Sequence, residues 1–374
     1  MMLAIPQCNP FLNYQAHKTD IDSALRLVLD KGNYILGENV EAFEKEFAAY
    51  VGVGHAVGVG NGTDAITIAL LSTGIGKGDE VITVSHTATA TVAAIELAGA
   101  TAVLVDIDPA TFTMDASEFK SAITSATRAV LPVHLYGRVA PVNEIVSIAR
   151  EYGLVVIEDC AQAHGAAMRG KRTGSFGDIG AFSFYPTKNL GALGDAGMIV
   201  TDNAHYAERA RLLRQYGWQT RYISEIPGRN SRLDEIQASI VRVKLRSLDA
   251  DNKCRRTIAQ TYDGVLAPLG CAPANAPAEE SHVYHQYVIQ VDNRDSVRDR
   301  LMKKGIATAI HYPVPVHLQP AYRRLRCAGP LKATERAAQR IISLPMFPEM
   351  RMEEALLVAE SVNTVVKDRG CKAG

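Results

Sequence analysis

The chain has 374 residues, of which 47% are apolar and 21% charged. This composition allows a large core, excludes a disordered chain and suggests two or three domains. Basic and acidic side chains balance at 40 each, which argues against a nucleic-acid or acidic-membrane binder while leaving room for a local basic pocket.

In chain order, the opening segment carries proline and polar residues and is expected to wrap the surface. Residues 38–50 read as a helix, with Phe43, Phe47 and Tyr50 at i, i+4 and i+7. A strand is expected at 55–59, a helix at 65–71, a strand at 81–84, a helix at 89–97 and a strand at 102–105. The alternation continues with helix 116–123, strand 129–133, helix 142–152, strand 154–157, and two short strands at 180–184 and 197–201. Apolar strands without alternation, separated by amphipathic helices, indicate an α/β fold with a mostly parallel sheet covered on both faces. After residue 204 helices dominate, at 204–216 and about 233–248. Strand 287–291, helix 294–304, strand 306–310 and a closing helix 352–367 complete a smaller α+β domain. The expected division is a large domain 1–245 and a small C-terminal domain 246–374. No internal repeat or low-complexity tract is visible.

Six cysteines, Cys8, Cys160, Cys254, Cys271, Cys327 and Cys371, form no CxxC pair. No metal site is therefore expected, and the dispersed thiols read as reduced, in a cytoplasmic protein. The stretch Met1-Met2-Leu3-Ala4-Ile5-Pro6 lacks the basic and apolar regions of a signal peptide, and no apolar run is long enough to span a bilayer.

Three stretches carry chemistry. Gly60-Asn61-Gly62-Thr63-Asp64 lies between a strand and a helix. It suits an anion, through glycine backbone, free helix-start N–H groups and the Thr63 hydroxyl, and equally suits a plain N-cap at Thr63 or Asp64. A dinucleotide site would want an acid at the end of the following strand, but that strand ends Thr83-Val84-Ser85-His86. Asp159 closes the buried strand Val155-Val156-Ile157-Glu158-Asp159, at the edge where ligands collect in open α/β sheets; a capping Asp is the plainer alternative. Lys188 sits in Ser183-Phe184-Tyr185-Pro186-Thr187-Lys188, on a constrained loop rather than a solvated helix. A lysine nucleophile with a carboxylate partner is what pyridoxal 5′-phosphate (PLP) asks of a protein: Lys188 would hold it as a Schiff base and Asp159 would pair with the pyridine nitrogen. Gln162 is placed to hydrogen-bond the ring oxygen, and Ser183 to donate to the phosphate.

Glu158-Asp159-Cys160-Ala161-Gln162-Ala163-His164-Gly165, Gly174-Ser175-Phe176-Gly177-Asp178 and the Lys188 stretch resemble the DegT/DnrJ/EryC1/StrS aminotransferases. So do Gly37, Gly62-Thr63-Asp64-Ala65, Gly228-Arg229-Asn230-Ser231-Arg232-Leu233-Asp234-Glu235, His311-Tyr312-Pro313 and His317-Leu318-Gln319-Pro320. The resemblance implies a fold-type I PLP enzyme that aminates a nucleotide-linked keto sugar with an amino acid donor, glutamate being the expectation. It implies that Lys188 carries the cofactor and shuttles the proton, that Asp159 and Gln162 hold the ring, and that Gly62, Thr63 and Ser183 bind the phosphate. Asn230 would reach the cofactor phosphate of the neighbouring subunit, giving a homodimer with shared sites. Where many relatives carry an aromatic over the ring, this chain has Ala88, so His86 becomes the candidate for that face. Arg229, Arg232, Tyr312 and His317 are the candidate substrate contacts. Tyr216-Gly217-Trp218 followed by Arg221-Tyr222 is similar to members acting at C3 of dTDP-linked 3-keto-6-deoxyhexoses. A 4-keto sugar, a cyclitol ketone and a non-catalytic PLP-binding regulator are the alternatives.

Overall fold

The computed structural model describes residues 5–367; Cys371 and the opening residues 1–4 fall outside them. The central sheet is built from β1 (His55–Val59), β2 (Glu80–Val84), β3 (Thr101–Val105), β4 (Thr127–Val130), β5 (Val155–Asp159), β6 (Ile179–Ser183) and β7 (Gly197–Thr201). Two further strands, β8 (Tyr287–Gln290) and β10 (Ile341–Leu344), pair with each other, while the short β9 (Arg326–Cys327) joins the central sheet. The sheet order is β1-β7-β6-β5-β4-β2-β3-β9. Every neighbour pair is parallel except those made by β7, which runs against both β6 and β1.

The strands are apolar on both faces because helices cover both. Val81, Ile82, Val103, Val130, Val156 and Ile157 are fully buried in one continuous core. On the β1/β7 side, helix Glu38–Val51 inserts Phe43 and Phe47 against Phe182 and Phe184 at ring-centroid distances of 5.0–5.4 Å. Edge-to-face rings at such distances add to the burial term. A second core gathers Ile5, Tyr262, Tyr287, Leu301, Leu344, Val358 and Val362. We propose the domain division at residue 245, between helix Glu235–Leu245 and helix Leu248–Leu266. Ile5 and β9 each cross that division to join the other side's structure.

Several expectations are corrected. The opening segment stays on the surface but is helical, as Pro10–Ala16 and Lys18–Lys31, with Ile21 of the latter buried against Ile240. Residues 306–310 are not a strand: Ile306 bridges Ile5 and Ala309 bridges Ser343, two different partners that make no continuous ladder. Helix 204–216 stops at Leu213. The helix expected from residue 65 begins at Gly62, and its N-cap is Asn61, whose side chain accepts the Asp64 N–H at 2.8 Å. Neither Thr63 nor Asp64 caps it.

Candidate active site

The C-terminal ends of β2, β4, β5 and β6 and the start of helix Gly62–Ser72 enclose a cavity of about 480 Å³. Its lining includes Gly62, Thr63, Ala88, Thr91, Asp159, Gln162, Ser183, Tyr185, Lys188 and Asp195. Six of the residues singled out from the sequence thus meet at one place: Gly62, Thr63, Asp159, Gln162, Ser183 and Lys188.

Asp159 ends β5 and is 5% exposed. Its Oδ2 accepts the Thr91 hydroxyl at 2.8 Å and its Oδ1 the Ala161 N–H at 3.1 Å. Burial pushes its pKa up, while Thr91, Ala161 and the nearby Lys188 oppose the shift. A cationic ring nitrogen in the cavity would complete the compensation.

Lys188 lies on the β6–β7 connection, whose geometry is set by backbone bonds: Phe184 N–H to Ala196 O at 2.8 Å, Ala192 N–H to Phe184 O at 2.7 Å and Lys188 N–H to Tyr185 O at 2.8 Å. The next residue, Asn189, donates to Asn252 Oδ1 and Val283 O. Burial lowers the Lys188 pKa to about 8, against the pull of Asp159. A substantial fraction of the amine is then neutral near physiological pH, as a nucleophile or base requires.

At the other end of the cavity, β6 touches the helix start so closely that a Cβ on Gly62 would lie 2.5 Å from Ser183 Cβ. The N–H groups of Gly62 and Thr63, in the first helical turn, have no carbonyl one turn back to bond within the helix. With the Ser183 and Thr63 hydroxyls they form a neutral, donor-rich cradle of the kind phosphate takes. The amine, the carboxylate and the cradle together fit PLP.

Gln162 is 6% exposed. Its Oε1 accepts the Tyr136 N–H at 2.8 Å and its Nε2 donates to Tyr312 Oη at 3.1 Å. Burial raises the Tyr312 pKa to about 12, so the phenol stays neutral.

The remaining candidates stand apart from the lining. His86 is 1% exposed and packs between Phe112 and Tyr136, with its Nε2 2.8 Å from Tyr136 Oη. It is not on the cavity face, where Thr87 and Ala88 are presented instead. His317 is held by Ser85 at 2.7 Å and Glu335 at 3.3 Å, between the sheet and the C-terminal part. Arg229 lies 3.6 Å from Asp64, and the Arg232 guanidinium lies 5.9 Å from the Tyr216 ring. Asn230 is exposed, its backbone bridging Gln215. Ser231, between these residues, accepts the Gly60 N–H at 3.0 Å and donates to Asp64 at 2.7 Å, which docks the whole segment on the Gly60–Asp64 turn.

Four residues escaped the sequence reading. Glu158, beside Asp159, accepts the N–H groups of Gly174, Phe176 and Gly177 at 2.7–2.9 Å and bonds His134 Nε2 at 2.9 Å. Its signal was present in the spacing from the Glu158-Asp159 pair to the Gly174–Gly177 turn. Thr91 and Tyr136 act through contacts remote in sequence, and Asp195 stands exposed at the cavity rim.

A family model for the DegT/DnrJ/EryC1/StrS aminotransferase family matches residues 15–363. A dTDP-3-amino-3,4,6-trideoxy-alpha-D-glucose transaminase from Streptomyces venezuelae is 45% identical over 360 residues, covering 94% of this chain and 95% of the relative. A protein of Geobacillus stearothermophilus named pleiotropic regulatory protein is 44% identical, covering 96% and 97%. The crystal structure of S. venezuelae DesV in complex with a ketimine intermediate superposes with a TM-score of 0.94 at 43% identity, covering 97% of this chain and 98% of that one. The chain belongs to the DegT/DnrJ/EryC1/StrS aminotransferase family.

Proposed function

We propose that this PLP-dependent sugar aminotransferase aminates C3 of a dTDP-linked 3-keto-6-deoxyhexose, with glutamate as donor. The observation that carries the reading is the convergence of the Lys188 amine, the Asp159 carboxylate and the Gly62–Thr63 helix start on one cavity. The 45% identity to a transaminase named for a 3-amino dTDP-sugar supports the choice of carbon and nucleotide.

PLP bound here supplies an electron sink for the carbanion that forms when an amino acid loses its Cα proton. Lys188 is the residue placed to anchor the cofactor and, once its amine is free, to take that proton from the donor Cα. Asp159 holds the ring nitrogen in its protonated form. The Gln162 amide is oriented by Tyr136 with its NH₂ on Tyr312, from where it would donate to the ring oxygen. The cradle at Gly62, Thr63 and Ser183 takes the phosphate. Tyr312 is the proposed substrate contact nearest the ring; Arg229, Arg232 and His317 are proposed to act on the substrate from further out. Asn230, exposed and outside its own cavity, is proposed to reach a neighbouring subunit's cofactor in a homodimer.

The test is an absorbance titration of the holoenzyme with glutamate, followed by turnover of dTDP-linked 3-keto and 4-keto sugars. Loss of the visible band with glutamate and preference for the 3-keto sugar are expected. A preference for the 4-keto sugar overturns the choice of carbon. A spectrum indifferent to glutamate and every other amino acid would favour a regulatory role, as the name of the G. stearothermophilus relative suggests for that protein.

A further inference from the structure

Tyr136 is a bulky residue held at φ 60°, in the left-handed region, and only 4% exposed. Such a residue rarely adopts that conformation without compensation from its surroundings. Packing alone does not account for the hydroxyl. It donates to the carbonyl of His311, so the hydrogen it receives must come from His86 Nε2, which fixes the neutral His86 tautomer. Its ring stands edge-on to Phe112 and His86 at 5.8 and 6.0 Å. Its backbone N–H, which can only donate, fixes the Gln162 amide with Oε1 inward and Nε2 toward Tyr312. His311 itself is tied to Ser343 of β10 through Nδ1 at 2.8 Å. One residue therefore joins the sheet, the cavity-lining Gln162 and the 311–312 segment of the C-terminal part.

We propose that Tyr136 is a positioning residue for the sugar acceptor, its hydroxyl holding the 311–312 segment so that Tyr312 meets both Gln162 and the substrate. The proposal rests on the reading of Tyr312 as a substrate contact. The amino donor needs Lys188 and Asp159, neither of which Tyr136 touches through its hydroxyl. The Gln162 bond uses the Tyr136 backbone and survives loss of the hydroxyl. Tyr136→Phe should thus separate the two halves of the reaction.

The experiment uses the holoenzyme and its Tyr136→Phe, Tyr312→Phe and double variants. Single-turnover reaction with glutamate is followed by absorbance, and turnover is measured with a dTDP-linked 3-keto-6-deoxyhexose. Calorimetric affinity for the aminated dTDP-sugar, without amino donor, gives a readout independent of catalysis. Loss of a hydrogen bond of this kind corresponds to about three- to tenfold. We expect that rise in acceptor KM and product Kd in both single variants, with the glutamate half-reaction of Tyr136→Phe within about twofold of wild type. The double variant should lose no more than the worse single one, because the two side chains act in series. Equal losses in both half-reactions, unchanged acceptor and product binding in Tyr136→Phe, or losses that multiply in the double variant would each overturn the proposal. Wild-type protein that reacts with glutamate but neither turns over nor binds any keto or amino sugar would sink the substrate reading, and this inference with it.

Discussion

The carboxylate of Glu235 accepts the N–H of Gly37 at 2.9 Å, across a sequence separation of 198 residues. The same side chain accepts Val40 N–H at 2.8 Å and Asn39 N–H at 3.0 Å. It thereby supplies from a distance the cap that Gly37, having no side chain, cannot give helix Glu38–Val51. Anions are favoured at that end of a helix, and the bonds satisfy donors that would otherwise be buried unpaired. A Cβ at Gly37 would lie 2.6 Å from Asn33 Nδ2 and 3.0 Å from the Glu235 carboxyl carbon, so any larger residue there would crowd the cap. Glu235→Ala should cost about 2–4 kcal/mol. Urea unfolding monitored by far-UV circular dichroism checks this. A midpoint within error of wild type would mean that water replaces the carboxylate without loss.

Glu158 and Asp159 are neighbours in β5 with opposite roles, one turned to a loop and one to the cavity. All the partners of Glu158 are donors: Ala140 N–H bonds His134 Nδ1 at 3.0 Å, so His134 Nε2 carries the hydrogen it gives to Glu158. In Glu158→Gln one amide NH₂ would face such donors. We expect a stability loss of about 1–3 kcal/mol and a reduced kcat, because the strand end that holds Asp159 is anchored by this side chain. Thermal melting together with steady-state kinetics tests both. Full activity in a destabilised protein would show that the carboxylate supports the fold without positioning Asp159.

Thr91 bridges Thr87 and Asp159. Since it donates to Asp159 at 2.8 Å, the Thr87 hydroxyl must donate to it, also at 2.8 Å. Thr91→Val keeps the shape and removes the bond that most opposes the upward push of burial on Asp159. The protonated carboxyl then becomes more populated and the hold on a cationic ring nitrogen weaker. A fall in kcat of about ten- to hundredfold is expected, a charge-assisted hydrogen bond being worth about 1.5–3 kcal/mol. PLP affinity should fall less, because the phosphate cradle is untouched. A larger loss in affinity than in kcat would place the role of Thr91 in binding.

The architecture was legible because both faces of the sheet are covered, so its strands are continuous apolar runs that alternate with amphipathic helices. Lys188, Asp159, Gln162, Gly62, Thr63 and Ser183 could be gathered because each lies in or beside a turn at a strand end or helix start, and those ends share one edge of the sheet. What was not legible depends on contacts between distant segments. Tyr136 reaches Gln162 and His311, Thr91 reaches Asp159, and Glu235 reaches Gly37, with no periodicity to announce any of them. His86 was drawn toward the cavity by its chemistry, yet at the end of β2 it is the neighbouring Thr87 and Ala88 that face inward. The 306–310 segment has a strand's composition, but its two bridges go to different partners.

The depressed pKa of Lys188 makes a prediction about how the cofactor is taken up. Only the neutral amine attacks a carbonyl, so the rate at which cofactor-free protein captures PLP follows the deprotonated fraction. Burial lowers the Lys188 pKa to about 8. The rate should climb about tenfold per pH unit below that value and flatten above it, whereas an unperturbed lysine would go on climbing to about 10.4. The sign follows from the cause: burial penalises the ammonium, and the Asp159 carboxylate, which favours it, does not fully offset the penalty. Replacing that carboxylate, as in Asp159→Asn, removes the opposing attraction and should move the inflection to lower pH. Stopped-flow absorbance across pH 6–10 in the wild type and this variant decides the point. An inflection that stays in place would mean that Asp159 is neutral in the cofactor-free protein and that another group sets the basicity of Lys188.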